Sequence, residues 1–177
     1  MIRGADEVQE DLHTAIISIG SNLGVKLDNC RRAIDALRAL TQTTVVACSR
    51  FYKTAPVDYL DQDWFVNTAV KVATRLDAHA LLDALKGIQK QAGRHGDAIR
   101  FGPRIIDLDI IFYDETVIET PELLIPHPRL HKRRFVLQPI CDIDPAIVHP
   151  ILKKDVRALL DRLDDDAQSV EPICCDC

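Results

Sequence analysis

Hydrophobic and polar positions along the chain predict two amphipathic helices set between strands. Apolar residues recur at helical spacing from Gly24 to Leu40 and again from Ala78 to about Gly93, where Asp77 supplies an N-cap. Four stretches rich in β-branched or alternating apolar residues predict strands. These are TAIISIGSN (14–22), TTVVACSRFYKT (43–54), WFVNTAVKVATRL (64–76) and FGPRIIDLDIIFY (101–113).

The order of these elements, β-α-β-β-α-β, predicts an α+β fold of the ferredoxin-like type. An antiparallel sheet then carries the helices on one face and leaves the other face for an active site. We predict a loose N-terminal extension at 1–13, one domain at 14–163 and a flexible, cysteine-containing tail at 164–177. Beyond the fourth strand, the pattern predicts a loop at 127–135, an apolar stretch and a last helix near Lys154–Leu163.

The fourth predicted strand is apolar, yet it carries two aspartates. Strand alternation places Asp107 and Asp109 on one face, with their Cα atoms about 7 Å apart. The opposite face is apolar and consists of Ile106, Leu108, Ile110 and Phe112. Carboxylates that approach to about 5 Å repel by roughly 3 kcal/mol at an effective dielectric of about 20. Protonation of one group, exposure to water, pairing with arginine or a bound divalent cation such as Mg²⁺ would each offset that repulsion.

Composition narrows the classes of function. The chain has 177 residues and a net charge of −5, which fits a single acidic domain without a large nucleic-acid-binding surface. It has no apolar run of membrane-spanning length and no signal-peptide core, so we expect a cytoplasmic protein with no membrane partner. Among the six cysteines, three stand singly in apolar segments and are predicted to be core residues: Cys30, Cys48 and Cys141.

Basic side chains are concentrated in two predicted loops that flank the aspartate strand. The loop before it contains Arg94, His95, Arg100 and Arg104. The loop after it contains His127, Arg129, His131, Lys132, Arg133 and Arg134. Arginine clusters bind phosphate oxygens, and arginine with a carboxylate pair and Mg²⁺ is typical of polyphosphate chemistry. We therefore expect a phosphate-binding site at this strand.

Other interpretations of these groups are weaker. A nucleotidyltransferase also pairs Gly-Ser with Asp-x-Asp, but here 86 positions separate Ser21 from Asp107. No Walker-type phosphate loop is present. His127 and His131 are spaced for zinc on a helix, but prolines flank His127 and no third ligand is evident. A ferredoxin-like module that only binds a ligand has little use for a paired metal site.

Five motifs, in this order, resemble the 6-hydroxymethyl-7,8-dihydropterin pyrophosphokinase family. They are SIGSNLG (18–24), RFYKTAPV (50–57), DQDWFVNTAV (61–70), FGPRIIDLDII (101–111) and IPHPRLHKRRFVLQP (125–139). The resemblance covers about residues 14–163 and implies a ferredoxin-like fold. It implies transfer of the β,γ-diphosphate of ATP to the pterin hydroxymethyl oxygen in folate biosynthesis, with release of AMP. We expect these two small molecules as its partners, and a monomer.

The resemblance also implies roles for individual residues. Asp107 and Asp109 would hold two Mg²⁺ ions and would act in catalysis together with Arg94 and Arg104. The implied ATP contacts are Gln89, Arg94, Phe101, Arg104, Ile110, His127 and Arg133. The implied pterin contacts are Thr54, Ala55, Val57, Phe65, Asn67, Asp107 and Phe135, with the two phenylalanines on either side of the ring. The chain departs from many relatives at Gln89 (Glu) and Phe101 (Trp), and from some relatives at Gly96 (Arg).

Overall fold

The computed structural model describes residues 11–57, 62–93, 104–163 and 168–174. The first seven elements are β1 (His13–Ser21), α1 (Lys26–Arg38), β2 (Thr43–Cys48), β3 (Tyr52–Thr54), β4 (Phe65–Thr74), α2 (Ala78–Gln91) and β5 (Asp107–Tyr113). They are followed by β6 (Ile118–Glu119), β7 (Leu124–Ile125), a 3-10 turn (Leu130–Lys132), α3 (Arg134–Ile143), α4 (Val156–Leu160) and β8 (Val170–Pro172).

The main sheet has six antiparallel strands. Its order is β5-β1-β4-β3-β8, and β2 also pairs with β4. The apolar sides of α1 and α2 cover one face, where Leu37 and Leu85 are buried against Ile17 and Leu108. Asp77 caps α2 as the sequence predicts, because its side chain accepts a hydrogen bond from the N–H of Ala80. The predicted antiparallel sheet with the first two helices on one face is confirmed.

The opposite face of the sheet is not entirely open, which corrects the prediction that helices cover one face only. Helices α3 and α4 pack there, and Leu137 and Ile140 are buried against Ile16 and Ile111. The sequence did not predict α3, which begins inside the supposed basic loop and contains Pro139. Proline inside a helix removes a hydrogen bond and normally argues against one, but burial of the apolar side of α3 outweighs that cost here. Helix α3 leaves part of this face uncovered, and the cleft described below lies there.

A β-bulge in β5 corrects the prediction for Phe112. Ile17 pairs with Ile110 but Ile16 pairs with Phe112, so Ile111 is an extra residue on β5. A bulge interrupts the alternation of side chains between the two faces. As a result Phe112 packs on the α3 side together with Ile111, and not with Leu108 and Ile110.

The predicted second strand is divided into β2 and β3, which pair with successive parts of β4. The interruption is at Ser49, whose hydroxyl accepts a hydrogen bond from the N–H of Ala69. Cys48, at the end of β2, is exposed, which corrects its prediction as a core residue, whereas Cys30 and Cys141 are buried. No helix within the described ranges is long and apolar enough to cross a membrane.

The C-terminal part of the chain contributes a strand. Val170–Pro172 forms β8, which pairs antiparallel with β3 so that Thr54 lies opposite Val170. Ile173 then donates a backbone hydrogen bond to Phe51 and packs against the main core. This part of the tail that the sequence predicts to be flexible therefore belongs to the sheet.

Candidate active site

A cleft opens on the sheet face opposite α1 and α2, beside the first turn of α3. Its floor is formed by β1 and β5, where Gly20 pairs with Asp107 and Ser18 with Asp109. Both aspartates line the cleft, as strand alternation predicts. Gly20 leaves room for the amide of Asn67, because a Cβ at position 20 would lie 2.8 Å from Oδ1 of Asn67.

Asp107 accepts hydrogen bonds from both sides. Nη1 of Arg104 donates to its Oδ2 at 2.8 Å, and Nε2 of Gln89 donates to its Oδ1 at 3.0 Å. Pairing with arginine was one of the predicted ways to offset repulsion between the two carboxylates, and it is present at Asp107. Gln89 is 4% exposed and reaches the cleft only through this contact. It therefore orients Asp107.

The backbone of Arg104 is held by Asn22, for which the sequence pattern predicted no role in the site. The N–H of Arg104 donates to Oδ1 of Asn22 at 2.7 Å, and the N–H of Asn22 donates to the carbonyl of Arg104 at 3.1 Å. Nδ2 of Asn22 donates to Gln62, another residue that lines the cleft. The available signal was a polar amide directly after a buried strand, because a buried amide requires partners.

His127 contributes a hydrogen-bond donor to the cleft. The pKa of His127 is lowered to about 4, mainly by burial and in smaller part by the nearby Arg133 and Arg129 guanidinium groups. The imidazole is therefore neutral at pH 7. Its Nδ1 accepts the N–H of Arg129 at 3.2 Å, so the hydrogen of the neutral ring is on Nε2.

Cationic groups lie close to the aspartates. Arg104 and Arg133 line the same cleft as the carboxylate pair. Nε of Arg104 is a buried side-chain nitrogen without a hydrogen-bond partner among the described residues. Buried N–H groups are normally paired, so this nitrogen can donate to an anion that enters the cleft.

The other part of the cleft contains two aromatic side chains. Phe65, from the start of β4, and Phe135, from the first turn of α3, both line it. Asn67 is 4% exposed, and its Nδ2 donates to the hydroxyl of Thr54 at 2.6 Å. That bond fixes the orientation of the amide. Ala55 and Val57 complete this wall, so all the predicted pterin contacts are brought together.

Among the described residues, two of the predicted ATP contacts do not line the cleft, Gln89 and Ile110. The side chain of Ile110 is 3% exposed and packs in the core between the sheet and the first two helices. The resemblance implies either a backbone or an apolar contact of Ile110 with adenine. Strand alternation turns the Ile110 side chain away from Asp109, so the backbone contact is the one that stays a prediction. Arg94 and Phe101 lie outside the described residues, as does Gly96.

A family comparison assigns most of the chain. Residues 16–145 match the sequence profile of 7,8-dihydro-6-hydroxymethylpterin-pyrophosphokinase (HPPK). A 2-amino-4-hydroxy-6-hydroxymethyldihydropteridine pyrophosphokinase of Methylorubrum extorquens is 38% identical over 150 residues, covering 85% of this chain and 93% of the relative. The enzyme of the same name in Bacillus subtilis is 40% identical over 129 residues, covering 73% of this chain and 77% of the relative.

Longer relatives contain additional sequence. A mitochondrial folate synthesis bifunctional protein of Arabidopsis thaliana is 44% identical over 137 residues, which cover 77% of this chain but only 24% of the relative. A crystal structure of Plasmodium falciparum HPPK-DHPS (A437G with STZ-DHP) matches with a TM-score of 0.71 at 15% identity, over 88% of this chain and 46% of that chain. That likeness supports the fold. The chain belongs to the 7,8-dihydro-6-hydroxymethylpterin-pyrophosphokinase family.

Proposed function

We propose that this protein transfers the β,γ-diphosphate of ATP to the hydroxymethyl oxygen of 6-hydroxymethyl-7,8-dihydropterin and releases AMP. The observation that carries the proposal is a single cleft with two parts. One part presents Asp107, Asp109 and several cationic or N–H donor groups, and the other presents two phenylalanines and an oriented amide. This division matches a reaction between a polyphosphate and a flat heterocycle.

The aromatic part suits the pterin. Phe65 and Phe135 supply apolar faces for a planar ring, and each stacking contact is worth about 0.5–1.5 kcal/mol. Asn67 presents an amide whose Nδ2 is already bonded to Thr54. A fixed amide can complement the donor and acceptor edge of a pterin with little loss of side-chain entropy.

The cationic part suits the phosphates of ATP. Arg104 has a buried Nε available for an anion, and Nε2–H of the neutral His127 is a second donor. Arg133 lines the cleft beside them. Arginine binds phosphate through forked hydrogen bonds, so Arg104 and Arg133 would orient the β- and γ-phosphates. Arg94 is a further proposed contact from outside the described residues.

The carboxylate pair suits magnesium. Within the described ranges no cluster of three or more histidine, cysteine or acidic groups is present, so Asp107 and Asp109 are the candidate ligands. Mg²⁺ is usually held by one or two carboxylates, with water and substrate phosphates as its other ligands, and two aspartates fit that donor set. Bound Mg²⁺ would neutralise charge on the phosphates. We propose two such ions.

In the reaction, the hydroxymethyl oxygen bonds to the β-phosphorus of ATP. The bond between that phosphorus and the oxygen bridging to the α-phosphate breaks, and AMP leaves. The hydroxyl proton passes to a carboxylate, for which Asp107 is the candidate because Arg104 and Gln89 hold it in place at the cleft. Positioning and charge neutralisation supply most of the acceleration in reactions of this class.

We further propose that the exact topology of the fold is ferredoxin-like. We also propose that the protein is a cytoplasmic monomer and that its partners are the two small-molecule substrates. Gel filtration at micromolar concentration tests the oligomeric state, and cell fractionation tests the location.

A product assay tests the function. The protein is incubated with ATP, Mg²⁺ and 6-hydroxymethyl-7,8-dihydropterin, and the nucleotides are separated. AMP that forms only with the pterin, in equal amount to pterin diphosphate, is the expected result. ADP would indicate a simple kinase, and free pyrophosphate would indicate a nucleotidyltransferase. No pterin-dependent change in nucleotides would contradict the proposal.

A further inference from the structure

The C-terminal segment contacts both walls of the aromatic part of the cleft. On one wall, the N–H of Ala55 donates to the carbonyl of Ser169 at 3.3 Å, just before β8 pairs with β3. On the other wall, Oε1 of Gln168 accepts the N–H of Arg134 at 2.8 Å, and its Nε2 donates to the carbonyl of Lys132 at 2.9 Å. Two adjacent residues therefore link the two walls.

These two walls carry groups proposed to face the pterin. Thr54 and Ala55 lie on the first, and Phe135 follows Arg134 on the second. The N–H groups in the first turn of a helix have no carbonyl partner within the helix. The side-chain oxygen of Gln168 accepts the N–H of Arg134, and the side-chain nitrogen of Gln168 donates to the carbonyl of Lys132, which precedes the helix. Gln168 thus fixes the backbone on both sides of Arg133.

We propose that Gln168 is a positioning residue that sets the separation of the two walls and thereby the affinity for the pterin ring. The identity of the ligand rests on the proposed function. Gln168 lies beyond residues 16–145, which match the family profile, so the family pattern does not contain it. A flat ring between two aromatic groups loses contact on both sides when the gap widens, because dispersion attraction falls steeply with distance.

The rest of α3 is held independently of Gln168. Leu137 and Ile140 are fully buried, and Asp142 accepts hydrogen bonds from Arg50 and Tyr52 near the end of the helix. Loss of the Gln168 contacts therefore leaves α3 in place and affects its first turn, where Phe135 lies. This separates a positioning role from a general contribution to stability.

The test compares Gln168→Leu with the matched control Ser169→Ala. Gln168→Leu removes both side-chain hydrogen bonds at similar size. Ser169→Ala changes the neighbouring side chain but keeps the carbonyl that Ala55 uses. The affinity for 6-hydroxymethylpterin is measured by its fluorescence, with Mg²⁺ and a non-hydrolysable ATP analogue present. Amide hydrogen exchange is followed at residues 54–57 and 133–137.

For Gln168→Leu we expect the pterin Kd to rise about tenfold, because pterin binding must then order the wall that the two hydrogen bonds hold in place in the wild-type protein. We also expect faster exchange at residues 133–137, an increased KM for the pterin and a nearly unchanged kcat. Ser169→Ala should behave as wild type. Gln168→Glu keeps the acceptor but loses the donor, so its pterin Kd should lie between those of the wild type and Gln168→Leu. It also replaces Gln168→Leu in the test if that variant does not fold.

An unchanged Kd together with unchanged exchange in Gln168→Leu would overturn the proposal, as would an equal effect in Ser169→Ala. If the wild-type protein binds no pterin, the proposed function fails instead. The exchange data still decide the structural link in that case, because they need no ligand. Faster exchange at 133–137 then supports the link between the walls, and unchanged exchange refutes it.

Discussion

Asn22 and Arg104 exchange two hydrogen bonds across 82 positions of sequence, one to the Asn22 side chain and one between their backbones. Asn22 directly follows β1 and is 2% exposed, whereas Arg104 lies shortly before β5. The Arg104 guanidinium that meets Asp107 is therefore held by a backbone anchored to the neighbouring strand. Its position in the cleft depends on a residue that lines no part of it.

Replacing Asn22 by Ala is expected to lower the free energy of unfolding by about 1–3 kcal/mol, because it leaves the partly buried N–H of Arg104 without its acceptor. We also expect turnover to fall, since Arg104 and Gln62 both lose a contact. Urea unfolding and steady-state kinetics measure the two effects. Asn29→Ala is the control, because Asn29 lies nearby and its side chain donates to Ser21 and to the carbonyl of Leu23. Equal effects of the two substitutions would contradict the positioning role of Asn22.

Replacing Asp107 or Asp109 by Ala is expected to abolish turnover while the fold persists. The expected decrease in kcat is at least about a hundredfold. Both side chains face the cleft and are partly exposed, so neither holds the core together. Product assays give the loss of activity, circular dichroism reports the fold, and Mn²⁺ titration followed by electron paramagnetic resonance reports metal binding. Asp35→Ala, on the exposed side of α1, is the control. Full activity in either site variant would remove the metal assignment.

The sequence predicted the parts of the site that depend on local pattern. Alternation along β5 predicted both aspartates on one face, and the family resemblance predicted that Phe65 and Phe135 share a site. All four residues line the cleft. The sequence-based prediction was wrong where a residue's position depends on a strand that is distant in sequence. The bulge at Ile111 is set by pairing with β1, and it moves Phe112 to the other face.

Long-range pairing also explains the other misses. Strand β8 exists because β3 presents an edge, and a three-residue segment carries little strand signal by itself. Helix α3 contains Pro139 and depends on burial against the sheet. The contacts of Asn22 join residues that are far apart in sequence, which no periodic pattern reports.

His127 is expected to make the protein less stable as pH falls from about 6.5 to about 4. Its folded pKa is lowered to about 4 from 6.5 in the unfolded chain, so the unfolded state binds more protons within this window. The free energy of unfolding therefore rises with pH between about 4 and 6.5. The part of it that depends on His127, up to roughly 3 kcal/mol, is fully present above pH 6.5. The cause is burial first, and the neighbouring arginines second.

His127→Gln keeps an N–H donor but cannot titrate, so it should flatten the pH dependence. Urea unfolding of both proteins at pH 7 and pH 5 measures the change. The buried His149 titrates in both proteins, so its contribution cancels in the comparison. An equal slope in His127→Gln and wild type would show that His127 is not the group responsible.

The only tryptophan of the chain, Trp64, is held by Lys26 at the start of α1. The ammonium of Lys26 lies 3.7 Å from the centre of the Trp64 ring and forms an ion pair with Asp63. Lys26 is 7% exposed, and a partly desolvated cation–π contact is worth about 1–2 kcal/mol. Because Trp64 directly precedes Phe65, this contact also fixes the start of β4 at the aromatic end of the cleft.

Lys26→Met is expected to free the Trp64 ring, so that acrylamide quenches its fluorescence more strongly and the pterin binds more weakly. Methionine keeps most of the apolar length of lysine but removes the charge, so the effect isolates the ammonium. Lys53→Met is the matched control, because that ammonium lies farther away, 5.4 Å from the same ring. Its quenching should stay close to wild type. If the two variants quench equally, Lys26 does not hold Trp64, and the orientation of Phe65 must depend on the pairing of β4 alone.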